Sequence, residues 1–196
     1  MTTSIIIRSE KKLYFGCDKR ITYDSLIYES DLVDKTYVSE NIILVFAGST
    51  YHFSLLKMVA NEIKFTNINN PRECFYQYVN AVEEQFSKIE RIESLMDLDN
   101  DSDVYVIIGG KIFEMFLKNN RYDYSFEPTQ TILVTGSGVE IARGMWLYLN
   151  SINTHPREIL KMILSEIPKI DNSTGGGGII YEYDLENFKT KKIENW

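Results

Sequence analysis

The chain has 196 residues, 44% of them hydrophobic and 13% aromatic, which is enough to bury one sizeable core and leads us to expect a single domain over residues 1–196. Its 21 basic residues against 28 acidic ones leave a formal charge of −7. That balance argues against a general nucleic-acid or acidic-membrane binder, because either needs a cationic face to offset phosphate charge. Cys17 and Cys74 are the only cysteines, without a CxxC pair or a Cys/His set around them, so neither a disulfide framework nor a zinc site is expected.

Met1-Thr2-Thr3-Ser4 leads into a short apolar stretch without a basic n-region, and no later apolar run approaches the ~20 residues of a membrane span. A soluble, cytoplasmic protein without cofactor or metal is the expectation. Ile5-Ile6-Ile7 and Leu13-Tyr14-Phe15 read as strands around the polar break Ser9-Glu10-Lys11-Lys12. With Glu10-Lys11 as a two-residue turn, cross-strand partners sum to about 21, which sets Thr2 opposite Lys19 and beside Asp18. Further strands are predicted over residues 32–38 and 41–47, the second holding the continuous apolar run Ile42-Ile43-Leu44-Val45-Phe46 of a strand covered on both faces and ending at Gly48.

Leu55, Val59 and Ile63, widened by Leu56 and Met58, have helical spacing, with Ser49 or Thr50 as cap. The next helix opens with Asn70 as cap, Pro71 in the first turn and Glu73 in capping-box position, and carries Phe75, Val79, Val82, Phe86 and Ile89 on one face. Residues 95–103 read as a solvated connection. Asp97, Asp99 and Asp101 imitate the opening of an EF-hand loop, but the turn glycine and closing glutamate are missing, so no calcium site is expected. Strands over 104–108, 112–117 and 131–135, with Gly109-Gly110 as a hairpin turn, precede two helices. These span 139–149, after Gly136-Ser137-Gly138, and 156–167, entered at His155-Pro156 and closed by Pro168. The last strands fall at 178–183 and 188–192. This order predicts an α+β fold, a four-layer αββα sandwich of two mainly antiparallel sheets covered by helices on both faces.

Thr2 on a strand, with Asp18 and Arg20 delivered by the hairpin return and a Gly48 turn able to offer a backbone N–H, supplies a nucleophile, charge partners and an oxyanion donor. His52 reads as a helix-start residue, His155 as a pre-proline cap and Cys17 as a small buried residue.

Thr2-Thr3-Ser4 followed by Phe15-Gly16-Cys17-Asp18-Lys19-Arg20-Ile21-Thr22 resembles, without a gap, the N-terminus of proteasome β subunits and HslV-type peptidases. There a mature N-terminal Thr-Thr precedes a Gly-x-Asp-x-Arg-x-Thr stretch. Val45-Phe46-Ala47-Gly48-Ser49 resembles the family's Ala-Gly-Gly turn, with Ser49 in place of the second glycine. Val134-Thr135-Gly136-Ser137-Gly138 resembles its Gly-Ser-Gly turn, and Asp171-Asn172-Ser173-Thr174-Gly175-Gly176 its Asp-x-x-Ser-Gly-Gly element, with Thr174 in place of serine.

The resemblance implies an N-terminal-nucleophile threonine peptidase in which Thr2, freed by removal of Met1, attacks the peptide carbonyl with its own α-amine as general base. It assigns the oxyanion donor to Gly48, the support of amine and water to Ser137, Asp171 and Thr174, and a structural role to Arg20. A lysine held by Asp18 belongs beside Thr2. Lys35, in Asp34-Lys35-Thr36-Tyr37-Val38-Ser39-Glu40-Asn41-Ile42, is chosen for it, whereas ungapped counting from Thr2 falls on Asp34. A homo-oligomeric ring, peptide or unfolded-protein substrates and an AAA+ ATPase unfoldase are implied as partners. An amidase acting on a small amide and a catalytically silent assembly subunit are the alternatives.

Overall fold

The computed structural model describes residues 2–23, 26–29, 34–90, 101–118, 121–172 and 174–196. Along the chain run β1 (Thr3–Arg8), β2 (Lys12–Asp18), β3 (Arg20–Tyr23), β4 (Leu26–Glu29), β5 (Thr36–Val38) and β6 (Ile43–Ala47), then α1 (Thr50–Glu62) and α2 (Pro71–Glu90). They are followed by β7 (Ser102–Ile108), β8 (Lys111–Lys118), β9 (Arg121–Phe126) and β10 (Ile132–Gly136), by α3 (Val139–Ser151) and α4 (Pro156–Ile170), and by β11 (Gly178–Asp184) and β12 (Lys189–Asn195). These elements form two compact units, one of Met1–Thr36 with Thr129–Trp196 and one of Tyr37–Pro128.

The first unit is built on the antiparallel sheet β10-β1-β2-β11-β12. β1 and β2 pair from Ser4 opposite Cys17 to Arg8 opposite Leu13, the register expected from a Glu10-Lys11 turn, and Ser9 N–H closes the hairpin on the Lys12 carbonyl at 2.8 Å. Ile5, Ile7, Tyr14 and Ile180 bury one face of the sheet against α3 and α4. On α4 the residues Ile159, Leu160, Ile163, Leu164 and Ile167 recur at helical spacing and are all buried. The helix starts as the sequence suggests, with Arg157 N–H donating to His155 Nδ1 at 3.2 Å. It does not stop at Pro168. In the last turn a proline forfeits only its own amide bond, and Asp171 N–H, donating to the Ile167 carbonyl at 2.8 Å, carries the turn on to Ile170.

The second unit is the antiparallel sheet β5-β6-β7-β8-β9 with α1 and α2. Leu44, Phe46, Val104, Val106, Ile108, Phe113 and Met115 meet Leu56, Val59, Phe75, Tyr78, Val82 and Phe86 in one core. Asn70 caps α2: its Oδ1 accepts Glu73 N–H and its Nδ2 donates to Glu73 Oε2, both at 3.3 Å. Ser49 stands at the N-cap of α1 with no side-chain cap bond. Gly109 and Gly110, with φ of 53° and 74°, take the left-handed conformation that a tight β7–β8 hairpin needs.

Several expectations are corrected. The pair β3-β4 and the strand β9 were not predicted. Within 32–38 only Thr36–Val38 is a described strand, and Phe188, at φ 54°, belongs to the turn before β12 rather than to the strand. The β3 and β9 sequences mix charged, aromatic and hydroxyl residues without an apolar run, and β9 is a sheet edge, where one row of backbone groups stays unpaired. Asp97 and Asp99 of the EF-hand-like spacing and most of the acidic connection lie outside the described residues, as does the Ile89 side chain; Ser102 and Asp103 are part of β7. Among the described residues no helix is long and apolar enough to cross a membrane.

Candidate active site

Thr2 and Thr3 are buried at the start of the first sheet's β1 and are held by backbone amides on one side and by a carboxylate on the other. On one side the Thr2 carbonyl accepts Ser137 N–H at 3.0 Å, and Thr3 Oγ1 accepts Gly138 N–H at 3.1 Å. The turn must carry glycine at 136: its φ is 95°, and a Cβ there would lie 1.6 Å from the Thr2 carbonyl oxygen. On the other side Thr3 N–H donates to Asp18 Oδ2 at 2.5 Å. That N–H belongs to the peptide joining Thr2 to Thr3, so the carboxylate grips the peptide immediately behind the Thr2 side chain.

Asp18 is 1% exposed and its Oδ1 accepts Arg20 N–H at 2.9 Å and Lys35 Nζ at 2.8 Å. The Lys35 side chain, 8% exposed, also donates to the Arg20 carbonyl. Removing both charges from water is costly, and the amide donors on Asp18 together with the carbonyl on Lys35 help offset that cost. One carboxylate thus connects an ammonium to the Thr2–Thr3 peptide. Of the two positions left open by the sequence, Lys35 is the one bonded to Asp18. Asp34 turns elsewhere: its Oδ1 accepts Thr36 N–H at 2.9 Å and its Oδ2 accepts the Tyr181 hydroxyl at 2.5 Å.

Arg20 ties this centre to the segment after α4. Its Nη1 donates to the Asn172 carbonyl at 2.5 Å, and its guanidinium fills the space that a side chain on Gly175 would need, a Cβ there lying 2.6 Å from Arg20 Cζ. Lys19 N–H donates to the Gly175 carbonyl at 3.0 Å. Thr174 is fully buried, and both its N–H and its Oγ1 reach the Asp171 carbonyl at 3.2 Å, while Ser173 lies outside the described residues. Thr2 is therefore hydrogen-bonded directly to Ser137, Asp18 is bonded directly to Thr3, Arg20 and Lys35, and Asp171 and Thr174 belong to the turn that Arg20 and Lys19 hold. Ser137 itself is exposed.

Gly48 belongs to the other unit. Its φ is 140°, and a Cβ there would lie 2.2 Å from Ser102 Oγ, so this turn also demands glycine. Ser102 Oγ accepts Ser49 N–H at 3.0 Å and lies 2.8 Å from Nδ1 of the fully buried His52. His52 lies in the first turn of α1, as expected of a helix-start residue, and is buried there with its ring edge-on to Phe86. No sequence signal announces this pair, because Ser102 is brought to His52 only by β6–β7 pairing. Cys17 is fully buried, as expected of a small interior residue, and burial, with the Asp34 charge adding to it, pushes its thiol up to about 12. Among the described residues no group of three or more His, Cys, Asp or Glu side chains is placed to hold a metal ion.

Two five-stranded antiparallel sheets with helices define an α+β protein whose best-organised polar centre surrounds the second residue of the chain. No family model matches the sequence, and no curated protein does. Solved structures do match. BPH from Thiobacillus denitrificans, solved in complex with epoxomicin, superposes with a TM-score of 0.68 at 14% identity, over 93% of this chain and 98% of that one. Eukaryotic HslV from Trypanosoma brucei gives 0.62 at 18% identity over 93% and 99%. Anbu from Yersinia bercovieri, described as an ancestral β subunit, gives 0.64 at 15% over 97% and 86%. At these identities the likeness shows the fold: the chain has the α+β sandwich fold of proteasome-like proteins.

Proposed function

We propose that the chain is a threonine-type endopeptidase of an HslV-like or proteasome-like self-compartmentalising complex, with Thr2 as nucleophile once Met1 is removed. The observation that carries this reading is the Asp18 carboxylate, which binds the Lys35 ammonium on one oxygen and the Thr2–Thr3 peptide N–H on the other. A cation fixed there favours the unprotonated α-amine of Thr2, whose ordinary pKa near ~8 already gives a useful free-base fraction.

The reaction then follows as acyl transfer. The amine takes the hydroxyl proton as Oγ attacks the peptide carbonyl; on collapse the leaving amine takes that proton and an ester to Thr2 remains. Water, deprotonated by the same amine, hydrolyses the ester. Gly48 N–H is assigned to the oxyanion on the family resemblance, and Ser137, Asp171 and Thr174 to the support of the amine and its water. The same reading makes the chain a single functional domain in a homo-oligomeric cytoplasmic ring that receives unfolded chains from an AAA+ ATPase.

A peptide epoxyketone, the reagent class to which epoxomicin belongs, tests this directly. One adduct mapped to Thr2 and lost in Thr2→Ala is the expected result. An unblocked Thr2 that stays unmodified at saturating reagent overturns it. A catalytically silent subunit is the second reading, favoured by the buried Thr174 hydroxyl being committed to the Asp171 carbonyl. Intact mass separates the two, since a chain that keeps Met1 has no free Thr2 amine.

A further inference from the structure

Lys35 is a long side chain delivered from outside the regular sheet, and such a chain holds one geometry only if its backbone is fixed. Asp34 Oδ1 accepts Thr36 N–H at 2.9 Å, closing a side-chain turn with Lys35 at its centre. Asp34 Oδ2 accepts the Tyr181 hydroxyl at 2.5 Å. Burial, then the hydrogen bond and charge of Asp34, raise the Tyr181 phenol far above its ordinary range, so it remains a donor. Tyr181 is itself immobilised on β11: it pairs with Phe15 of β2 and its ring stacks on Phe15 at 5.4 Å between centroids. Thr36 Oγ1 lies 3.5 Å from Cys17 Sγ. Asp34 and Thr36 thus turn towards Phe15, Cys17 and Tyr181, while Lys35 between them turns to Asp18, the neighbour of Cys17.

We propose that Asp34 and Tyr181 are positioning residues, a clamp on the turn that presents Lys35 to Asp18 and thereby to the Thr2–Thr3 peptide. The catalytic meaning of the clamp rests on the peptidase reading above; the clamp itself does not. Neither residue touches the reacting atoms. Tyr181→Phe keeps the ring stack and removes only the hydroxyl, and Asp34→Ala removes both acceptors.

The test is trace labelling of the folded protein with acetic anhydride, mapped by mass, together with peptide hydrolysis. In both variants Lys35 is expected to acetylate about tenfold faster than in the wild-type chain, as a local opening requires, while the fully buried Lys19 keeps its rate. Hydrolysis should lose about tenfold in kcat with KM nearly unchanged. If Lys35 labelling is unaltered in both variants, or if Lys19 accelerates equally, the clamp is overturned and these contacts serve the general fold. If Lys35 alone accelerates but even the wild-type chain neither cleaves peptides nor takes a Thr2 adduct, the clamp stands and the peptidase reading falls.

Discussion

Asp18 serves the backbone and the ion pair at once, so its charge and its shape make separable contributions. Asp18→Asn keeps the shape but leaves the buried Lys35 ammonium without a counter-charge, an expected loss on the order of 3–5 kcal/mol, read as a shift in denaturant midpoint. Adding Lys35→Met removes the stranded charge, so the double variant should recover part of that loss, and a strictly additive cycle would contradict a coupled pair. At this scale the sequence was partly legible. The hairpin sum placed Asp18 beside Thr2, because period-two pairing follows from the turn alone. The choice between Asp34 and Lys35 was not legible by counting, because it depends on how residues 34–36 turn, and Tyr181, 147 positions after Asp34, fixes that.

Among the elements, those with local punctuation were read and those without it were missed. The start of α2 is encoded by Asn70, Pro71 and Glu73 within four residues, and Asn70→Ala should destabilise the protein by about 1 kcal/mol in equilibrium unfolding, with an unchanged m-value. The hairpins at Glu10-Lys11 and Gly109-Gly110 were legible for the same reason. Pro168 illustrates the opposite case: a strong breaker rule did not end α4 there, because in the last turn the Asp171 N–H still reaches the Ile167 carbonyl. The strands β3, β4 and β9 form only because a partner strand supplies their hydrogen bonds, a property no single window of sequence contains.

At the scale of the whole molecule, acidic residues outnumber basic ones, and two of them knit the outer strands of the first unit together. Glu182 meets Lys12 and Lys191, joining β2, β11 and β12, and Glu194 meets Arg157 and Lys161, joining β12 to α4. Burial pushes the Glu182 carboxyl up, but hydrogen bonds from Lys191 and Lys12 more than offset it and leave the group below its ordinary 4.5. Glu194 is lowered chiefly by its hydrogen bond to Lys161. A carboxylate lowered by folding contributes stability above its unfolded pKa and loses it as pH falls through the folded one. Stability is therefore expected to be level from neutrality to about pH 5 and to fall below about pH 4.5, and Glu182→Gln with Glu194→Gln should flatten that decline in urea titrations.

Composition, turn chemistry and apolar periodicity, by themselves, determined the α+β class, the hairpin register and the strand that follows Thr2, because each is set by residues a few positions apart. The tertiary structure alone decided that Lys35 and not Asp34 meets Asp18, that Arg20 holds the turn carrying Asp171 and Thr174, and that Ser102 with His52 supports the Gly48 turn. Those contacts join residues 17 to 152 positions apart, and only the pairing of strands and the burial of side chains between them fix which residues finally touch.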